Sequence, residues 1–281
     1  MFRIEKIAAL DRPELAPYHT LRRAAEHEAL GIFVAEGDKV VCRLLESPFR
    51  VVSVLLPEDR LPEFEPLLRA RPEADIPVFA VTEKSVLEKL VGFKLFQGVL
   101  AVGIIPPRPP LEKLLAGLPR PRLLVAADGL TNAENIGLLV RNCVAFGAHA
   151  LLVGETCGSP FVRRSVRNSM GTIFQLPVFE TGRNPPPEPA SLVQVLQRLR
   201  AHGVRCVAAH PHTDRKILSQ ADFTGDCCLV FGSEGTGISP AVLAACDEAV
   251  AIPMPPAVDS LNVGAAAAVF LYEVARQRGT A

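Results

Sequence analysis

The chain has 281 residues, of which 49% are hydrophobic and 21% charged, a composition typical of a globular protein rather than a disordered one. Its 30 basic side chains balance its 30 acidic ones, which excludes a global basic field, so a nucleic-acid partner would need a local basic patch. The seven cysteines show no zinc-ligand spacing, so we expect neither a bound metal nor a disulfide framework. No apolar run reaches the length of a membrane span, and the first residues lack a secretory signal. We therefore expect a cytoplasmic protein without a membrane anchor.

The first part of the chain alternates helical and strand patterns. Residues 21–30 predict a charged amphipathic helix and residues 38–45 a second helix. Short apolar runs predict strands at residues 31–36, 51–56, 78–81 and 99–105. We therefore expect a small α/β domain over residues 1–105.

Closely spaced prolines mark a boundary at residues 106–121. Proline cannot continue a helix or a central strand, so this stretch predicts a semi-rigid linker. A second and larger domain is expected over residues 122–281.

The second domain alternates strands and helices more regularly. Residues 123–127 are entirely apolar, as expected of a parallel strand buried on both faces. Further strands are predicted at residues 150–153, 173–179, 204–209, 227–231 and 249–252. Helices are predicted around residues 136–143, in the basic stretch after residue 153, and over residues 192–202 and 263–276. This alternation predicts an α/β fold with a parallel sheet, and the proline-rich residues 184–189 predict a surface loop.

Three loops each follow a predicted strand, where ligands bind in open α/β sheets. They cover residues 132–147, 232–237 and 252–264. The chain has no GxGxxG after a first strand and no GxxxxGK[ST]. A dinucleotide-binding oxidoreductase is therefore unsupported and a P-loop is excluded.

A purely structural role is the alternative for each loop taken alone. In the first loop, Asn132 or Asn135 could cap a helix. Arg141 follows within an apolar stretch, where a buried guanidinium would need a partner.

The second and third loops carry the same ambiguity. The glycines around Glu234 could form an ordinary strand-to-helix turn or allow close approach of a ligand. Ser260 or Asn262 could be an N-cap. The small residues 264–268 favour close packing against another helix or subunit.

Taken in order, these loops resemble the three motifs of the SpoU–TrmH branch of the SPOUT RNA methyltransferases. The first fits N-x-x-N-x-G-x-x-x-R-(N/T)-x-x-A-F-G, the second F-G-x-E-x-x-G-I-S, and the third I-P-M…S-L-N-V…A…L-Y-E. Residues 167–171 resemble the R-x-S-M-G segment of the family, and the match spans residues 122–278. More loosely, residues 21–27, 33–41 and 96–102 resemble the family's ribosomal-protein-like RNA-binding domain.

The resemblance implies a trefoil knot in the catalytic domain, S-adenosylmethionine as cofactor, and a homodimer formed through the C-terminal helix and knot region. The implied activity is methyl transfer to a ribose 2′-hydroxyl of structured RNA, with ribosomal RNA favoured over transfer RNA and no DNA partner. The polar site residues carried over from the motifs are Arg141, Asn135, Glu234, Ser260 and Asn262. The positions whose backbone would hold the cofactor are Gly232, Ile252 and Leu261.

Two positions depart from the family pattern. Ala133 and Glu134 stand where a proline is frequent, and Gly264 where a serine or alanine is frequent. Neither departure removes a functional side chain, so they bear on substrate identity more than on activity.

Arginine normally keeps its proton, so we expect Arg141 to bind the phosphate–ribose edge and ease deprotonation of the hydroxyl, whether or not it accepts the proton. We expect two local basic clusters to bind the RNA. The alternative for each cluster is that it is only a solvated surface without a ligand. The two clusters consist of Arg163, Arg164 and Arg167, and of Arg22 and Arg23 with Lys39 and Arg43. In the homodimer, Arg163 or Arg167 would reach the partner's site. The alternative function is a catalytically inactive RNA-binding protein that keeps the fold.

Overall fold

The structure is a computed structural model that describes residues 2–7, 11–82, 84–91, 98–182, 188–211, 216–255 and 257–280. Its contacts divide the chain into two compact units. The first comprises Met1–Pro107 and Pro160–Phe174, and the second Arg108–Ser159 and Gln175–Ala281. This division differs from the expected boundaries because residues 160–174 pack within the first unit.

The first unit is built on a mixed five-stranded sheet in the order β1-β4-β3-β5-β2. β1, β4 and β3 run parallel, whereas β5 is antiparallel to β3 and to β2. The strands are β1 (Phe2–Ile7), β2 (Ile32–Glu36), β3 (Val51–Pro57), β4 (Ile76–Val81) and β5 (Leu100–Ile104). The helices before residue 107 are α1 (Ala16–His19), α2 (Ala24–Ala29), α3 (Asp38–Glu46), α4 (Leu61–Arg69) and α5 (Lys84–Val91).

The second unit contains a six-stranded sheet in the order β11-β9-β10-β6-β7-β8, and every adjacent pair is parallel. The strands are β6 (Leu123–Ala127), β7 (Ala150–Val153), β8 (Val178–Glu180), β9 (Arg205–Ala209), β10 (Cys227–Phe231) and β11 (Glu248–Val250). The helices after residue 107 are α6 (Leu111–Gly117), α7 (Ala133–Ala145), α8 (Arg163–Asn168), α9 (Leu192–Ala201), α10 (Pro240–Ala245) and α11 (Val263–Gln277). Of these, α8 belongs to the first unit. The predicted parallel α/β sheet is confirmed.

The expected linker is partly a helix. Within α6, Leu111, Leu114 and Leu115 are buried in the core of the second unit. Burial of these leucines fixes the segment against the sheet, so a semi-rigid connector over all of residues 106–121 is wrong.

The strand expected at residues 173–179 is also wrong in its first half. Thr172–Gln175 form a 3-10 turn, and the strand begins only at Val178. The apolar Ile173 and Phe174 resemble strand residues in sequence, but they are buried outside the sheet. The ring of Phe174 packs on those of Phe33 and Phe49 in the first unit. The loop expected at residues 184–189 lies largely outside the described residues.

Within the described residues, no helix is long and apolar enough to cross a membrane. The same residues contain no group of three or more His, Cys, Asp or Glu side chains placed to hold a metal ion.

Candidate active site

A cavity of about 470 Å³ lies in the second unit at the carboxyl ends of β9, β10 and β11, beside α11. Parallel strands present their loops together at this edge of a sheet. Apolar side chains of the cavity wall include Phe231, Ile238, Val250, Ile252 and Phe270. Polar side chains of the wall include His210, Ser233, Glu234, Thr236, Asp259 and Ser260.

The loop after β10 closes on itself. The backbone of Ser233 pairs with that of Gly237 in both directions, at 3.1 and 3.0 Å. A Cβ atom on Gly232 would lie 2.2 Å from the backbone carbon of Gly237, and Gly237 has a φ of 69°. These two glycines are therefore needed to form the turn, and Glu234 is held near its tip.

Asn262 joins the other two motifs. Its side-chain Oδ1 accepts a 2.9 Å hydrogen bond from the Gly264 amide and so caps α11. Its Nδ2 donates to Oδ1 of Asn135 at 3.1 Å and to Oε1 of Glu234. The N-cap role is thus confirmed, and the same side chain bonds to polar residues of the other two motifs, while its part in the reaction stays a prediction.

In the first motif the two asparagines have separate roles. Asn132 caps α7, because its Oδ1 accepts hydrogen bonds from the amides of Glu134 and Asn135 at 2.8 and 3.3 Å. The Asn135 side chain is buried and bonded to Asn262 instead.

Close packing of α7 on α11 brings these motifs together. Asn142 Nδ2 donates a 2.6 Å hydrogen bond to the Gly264 carbonyl. A Cβ atom on Gly264 would lie 3.1 Å from Leu138 Cβ, so the missing side chain lets the two helices approach. Glycine at position 264, where the family frequently has serine or alanine, therefore leaves the space that Leu138 occupies.

Arg141 does not join this cluster. It is exposed on α7, and it makes no hydrogen bond or ion pair to any residue that the structure describes. It shares the exposed face of α7 with the apolar Leu138 three residues earlier, so within this chain it needs no buried partner. It is not among the cavity-lining residues, whereas Gly232, Ile252, Ser260 and Leu261 are.

Three residues of the site were missed by the sequence analysis. His210 and Asp259 line the cavity. The buried Asp128, at the carboxyl end of β6, accepts a 2.7 Å hydrogen bond from the Ser239 amide and so supports the end of the second motif. His210 and Asp128 directly follow strands, so the rule that selected the other loops could have found them.

The thiols near the sheet are unsuited to nucleophilic chemistry. Burial raises the pKa of Cys157 to about 11 and that of Cys246 to about 12. Cys157 instead bridges loop backbone, accepting from the Leu130 amide and donating to the Ala127 carbonyl, both at 3.3 Å. Thiolates are the reactive form, so these cysteines are structural.

The expected basic cluster on α8 lies in the first unit, and two of its three arginines share one carboxylate. Arg163 and Arg167 both donate to the buried carboxylate of Glu36. The side chain of Arg163 is only 13% exposed. These contacts contradict the expectation that Arg163 is available for RNA or for a partner's site. The Arg167 side chain is 53% exposed, so its part in either role stays a prediction.

Other basic side chains of the first unit face solvent. Arg164 on α8 is exposed, as are Arg22 and Arg23. Arg23 forms a surface ion pair with Glu26 at 2.9 Å, an arrangement that contributes little to stability and can be exchanged for a phosphate.

Comparisons with known proteins identify the family of the chain. Residues 122–272 match the sequence profile described as the SpoU rRNA Methylase family. An uncharacterized tRNA/rRNA methyltransferase of Mycobacterium bovis is 30% identical over 280 residues, covering 97% of this chain and 92% of that protein.

Solved structures are similar over almost the whole chain. The SpoU methyltransferase AviRb from Streptomyces viridochromogenes, in complex with the cofactor AdoMet, is 27% identical with a TM-score of 0.79, covering 96% of this chain and 100% of that one. The crystal structure of an RNA 2′-O ribose methyltransferase is also 27% identical, with a TM-score of 0.77 and coverage of 98% and 99%.

Proposed function

The chain belongs to the SpoU rRNA methylase family, and from this membership we propose that it transfers a methyl group from S-adenosylmethionine to a ribose 2′-hydroxyl of structured RNA. Ribosomal RNA is the substrate class we favour, because the family is described by it. The observation that carries the proposal is the hydrogen-bonded cluster of Asn135, Asn262 and Glu234 beside the cavity.

The cavity fits this cofactor. Its volume lies within the range of small-molecule sites, and its wall offers an apolar surface for a nucleobase and hydroxyl groups for a ribose. Among the described residues, its lining contains the carboxylates of Glu234 and Asp259 and no lysine or arginine. Such a wall favours a cationic cofactor and disfavours the phosphates of NAD or a nucleoside triphosphate.

Bound S-adenosylmethionine would supply a methyl group on a positively charged sulfur. The chain's own side chains would position the ribose that attacks it. Asn262 engages Oε1 of Glu234, which leaves Oε2 to accept a hydrogen bond from a ribose hydroxyl. Gly232, Ile252 and Leu261 would hold the cofactor through their backbone, and Ser260 would bond to the ribose.

We further propose that the chain acts as a symmetric homodimer through α11 and the adjoining face of α7. Val269 and Tyr272 on α11 are 41% and 52% exposed, and Leu138 on α7 is 38% exposed. In such a dimer a second copy would cover these exposed apolar side chains.

Arg141 shares the exposed face of α7 with Leu138, so it would lie in such an interface. We propose that it serves the partner's site, where it would bind the phosphate–ribose edge and stabilise developing charge. This placement accounts for a motif arginine that makes no hydrogen bond or ion pair to any described residue of its own chain.

RNA would be captured by the exposed Arg22, Arg23 and Arg164, all in the first unit. Phosphate contacts of this kind supply affinity without sequence preference.

Calorimetric titration tests the cofactor assignment. We expect S-adenosylmethionine and S-adenosylhomocysteine to bind with micromolar dissociation constants, on the order of −8 kcal/mol, and NAD not to bind. The alternative, an inactive RNA-binding protein, predicts RNA binding without cofactor binding. Saturable NAD binding with no response to either methionine cofactor would overturn the assignment.

A further inference from the structure

Among the residues that the structure describes, none pairs with the carboxylate of Asp259 in the cavity wall. Asp259 lines the cavity and is exposed, and it makes no hydrogen bond or ion pair within the described part of the chain. The other carboxylate of the wall, Glu234, is already engaged by Asn262. Asp259 is therefore available to a ligand in a way that Glu234 is not.

The surroundings of Asp259 strengthen its effect on a charged ligand. The described lining brings no lysine or arginine to neutralise it. Apolar side chains such as Met254, Leu261 and Val263 make up much of the same wall, and they reduce the screening of a charge by water. A cationic group in the cavity would therefore be attracted more strongly than at an open surface.

We propose that Asp259 binds the positive charge of the cofactor's methionine portion and sets the preference for a charged cofactor over a neutral nucleoside. This inference rests on the proposed function, which supplies the ligand. S-adenosylmethionine carries two positive groups, the sulfonium and the α-ammonium, and a carboxylate accepts a charge-assisted contact from either. Asp259 belongs to the third motif segment but is not one of the polar residues carried over from the family.

Three ligands that differ in their positive groups show which of those groups Asp259 binds. S-adenosylmethionine has both positive groups, S-adenosylhomocysteine has only the ammonium, and 5′-methylthioadenosine has neither. The experiment is calorimetric titration of the full chain and of Asp259→Asn with each ligand. We expect Asp259→Asn to raise the Kd for S-adenosylmethionine about tenfold and to leave that for 5′-methylthioadenosine unchanged.

The S-adenosylhomocysteine titration assigns the group. An equal loss for S-adenosylhomocysteine identifies the ammonium, and a loss confined to S-adenosylmethionine identifies the sulfonium. In the second case the product, which has lost that charge, is held less tightly and its release is favoured. Asp259→Glu keeps the charge and should restore most of the affinity, and the affinity of the native chain should fall with added salt more steeply than that of Asp259→Asn.

A matched control is Asp59→Asn, which makes the same chemical change at an exposed position of the first unit. It should leave all three dissociation constants unchanged, and thermal denaturation should show that both variants are folded. If Asp259→Asn binds all three ligands as the native chain does, or weakens all three equally, the proposal is wrong. A native chain that binds none of them contradicts the proposed function itself, and this assignment with it.

Discussion

The side chain of Asn262 donates a 3.1 Å hydrogen bond to Asn135, a residue 127 positions earlier in the chain. The same Asn262 nitrogen donates to Glu234, while its oxygen caps α11. Two helices and one loop are therefore fixed relative to each other by a single amide. The activity should depend on this amide more than the stability does.

Asn262→Ser separates the two roles of this amide. Serine is a good N-cap, so the free energy of unfolding should change by less than about 1 kcal/mol. The donor to Asn135 and Glu234 is lost, so methyl transfer should fall about 10²-fold or more. Urea denaturation and a tritiated-methyl assay measure the two effects. Activity and stability falling together would show that Asn262 is only a helix cap.

Arg141→Ala should leave cofactor affinity nearly intact and reduce methyl transfer about 10²-fold or more. Arg141→Lys keeps the charge but loses the planar fork, so it should restore little activity. Near-normal turnover of the alanine variant would show that Arg141 has no part in the reaction.

Mixing variants tests whether Arg141 acts on the partner's site. An equal mixture of Arg141→Ala and Asn262→Ser subunits contains about one half mixed dimers, each with one complete site if Arg141 acts across the interface. We expect the mixture to regain about a quarter of native activity, since half the dimers have half their sites. No recovery after subunit exchange would place Arg141 in its own subunit's site.

The dimer face can be tested by charge insertion. Tyr272→Glu places a carboxylate in the proposed interface, where it would be desolvated without a partner, so the dimer should dissociate and activity should be lost. Leu30→Glu is the control, since Leu30 is 68% exposed on the first unit. Sedimentation of both variants gives the result. A stable, active monomer of the native chain would contradict the interface.

Glu73 should give the first unit an acid-sensitive stability. Burial opposes ionisation of Glu73, but hydrogen bonds from Arg71 and the Val51 amide outweigh it and lower the pKa to about 2 from 4.5. A lowered pKa in the folded state adds stability above pH 4.5, and this contribution is lost as the pH falls towards 2. Glu73→Gln should therefore cost about 2 kcal/mol at neutral pH and less in acid. Urea denaturation across this range measures it, and parallel curves for the two proteins would contradict it.

The parallel sheet of the second unit could be predicted because its central strands are apolar on both faces. All five residues of β6 and of β10 are buried. The edge strand β1 gave no such signal. Half of its six residues are charged, and its apolar Ile4 is 45% exposed, so the strand has no continuous apolar run of the kind that marks β6 and β10.

The motif residues could be predicted, but their contacts could not. Asn262 and Asn135 were assigned to the site by resemblance, whereas their hydrogen bond depends on how closely α7 approaches α11. The apolar neighbours of Arg141 in sequence left open whether it is buried with a partner or solvated. One of them, Leu138, is itself exposed, so apolar residues near Arg141 did not indicate a buried face. The trefoil knot implied by the resemblance stays a prediction.

The most direct test of the central claim is the position of the transferred methyl group. Ribosomal RNA lacking the modification would be incubated with the protein and tritiated S-adenosylmethionine, then hydrolysed in alkali. Cleavage by alkali needs a free 2′-hydroxyl, so methylation there leaves the label in resistant dinucleotides. We expect the label in dinucleotides with the native chain and little label with Asn262→Ser. Label recovered in mononucleotides would show methylation of a base and contradict the 2′-O assignment. No label on any RNA, from a chain that binds RNA but not the cofactor, would favour the inactive RNA-binding protein.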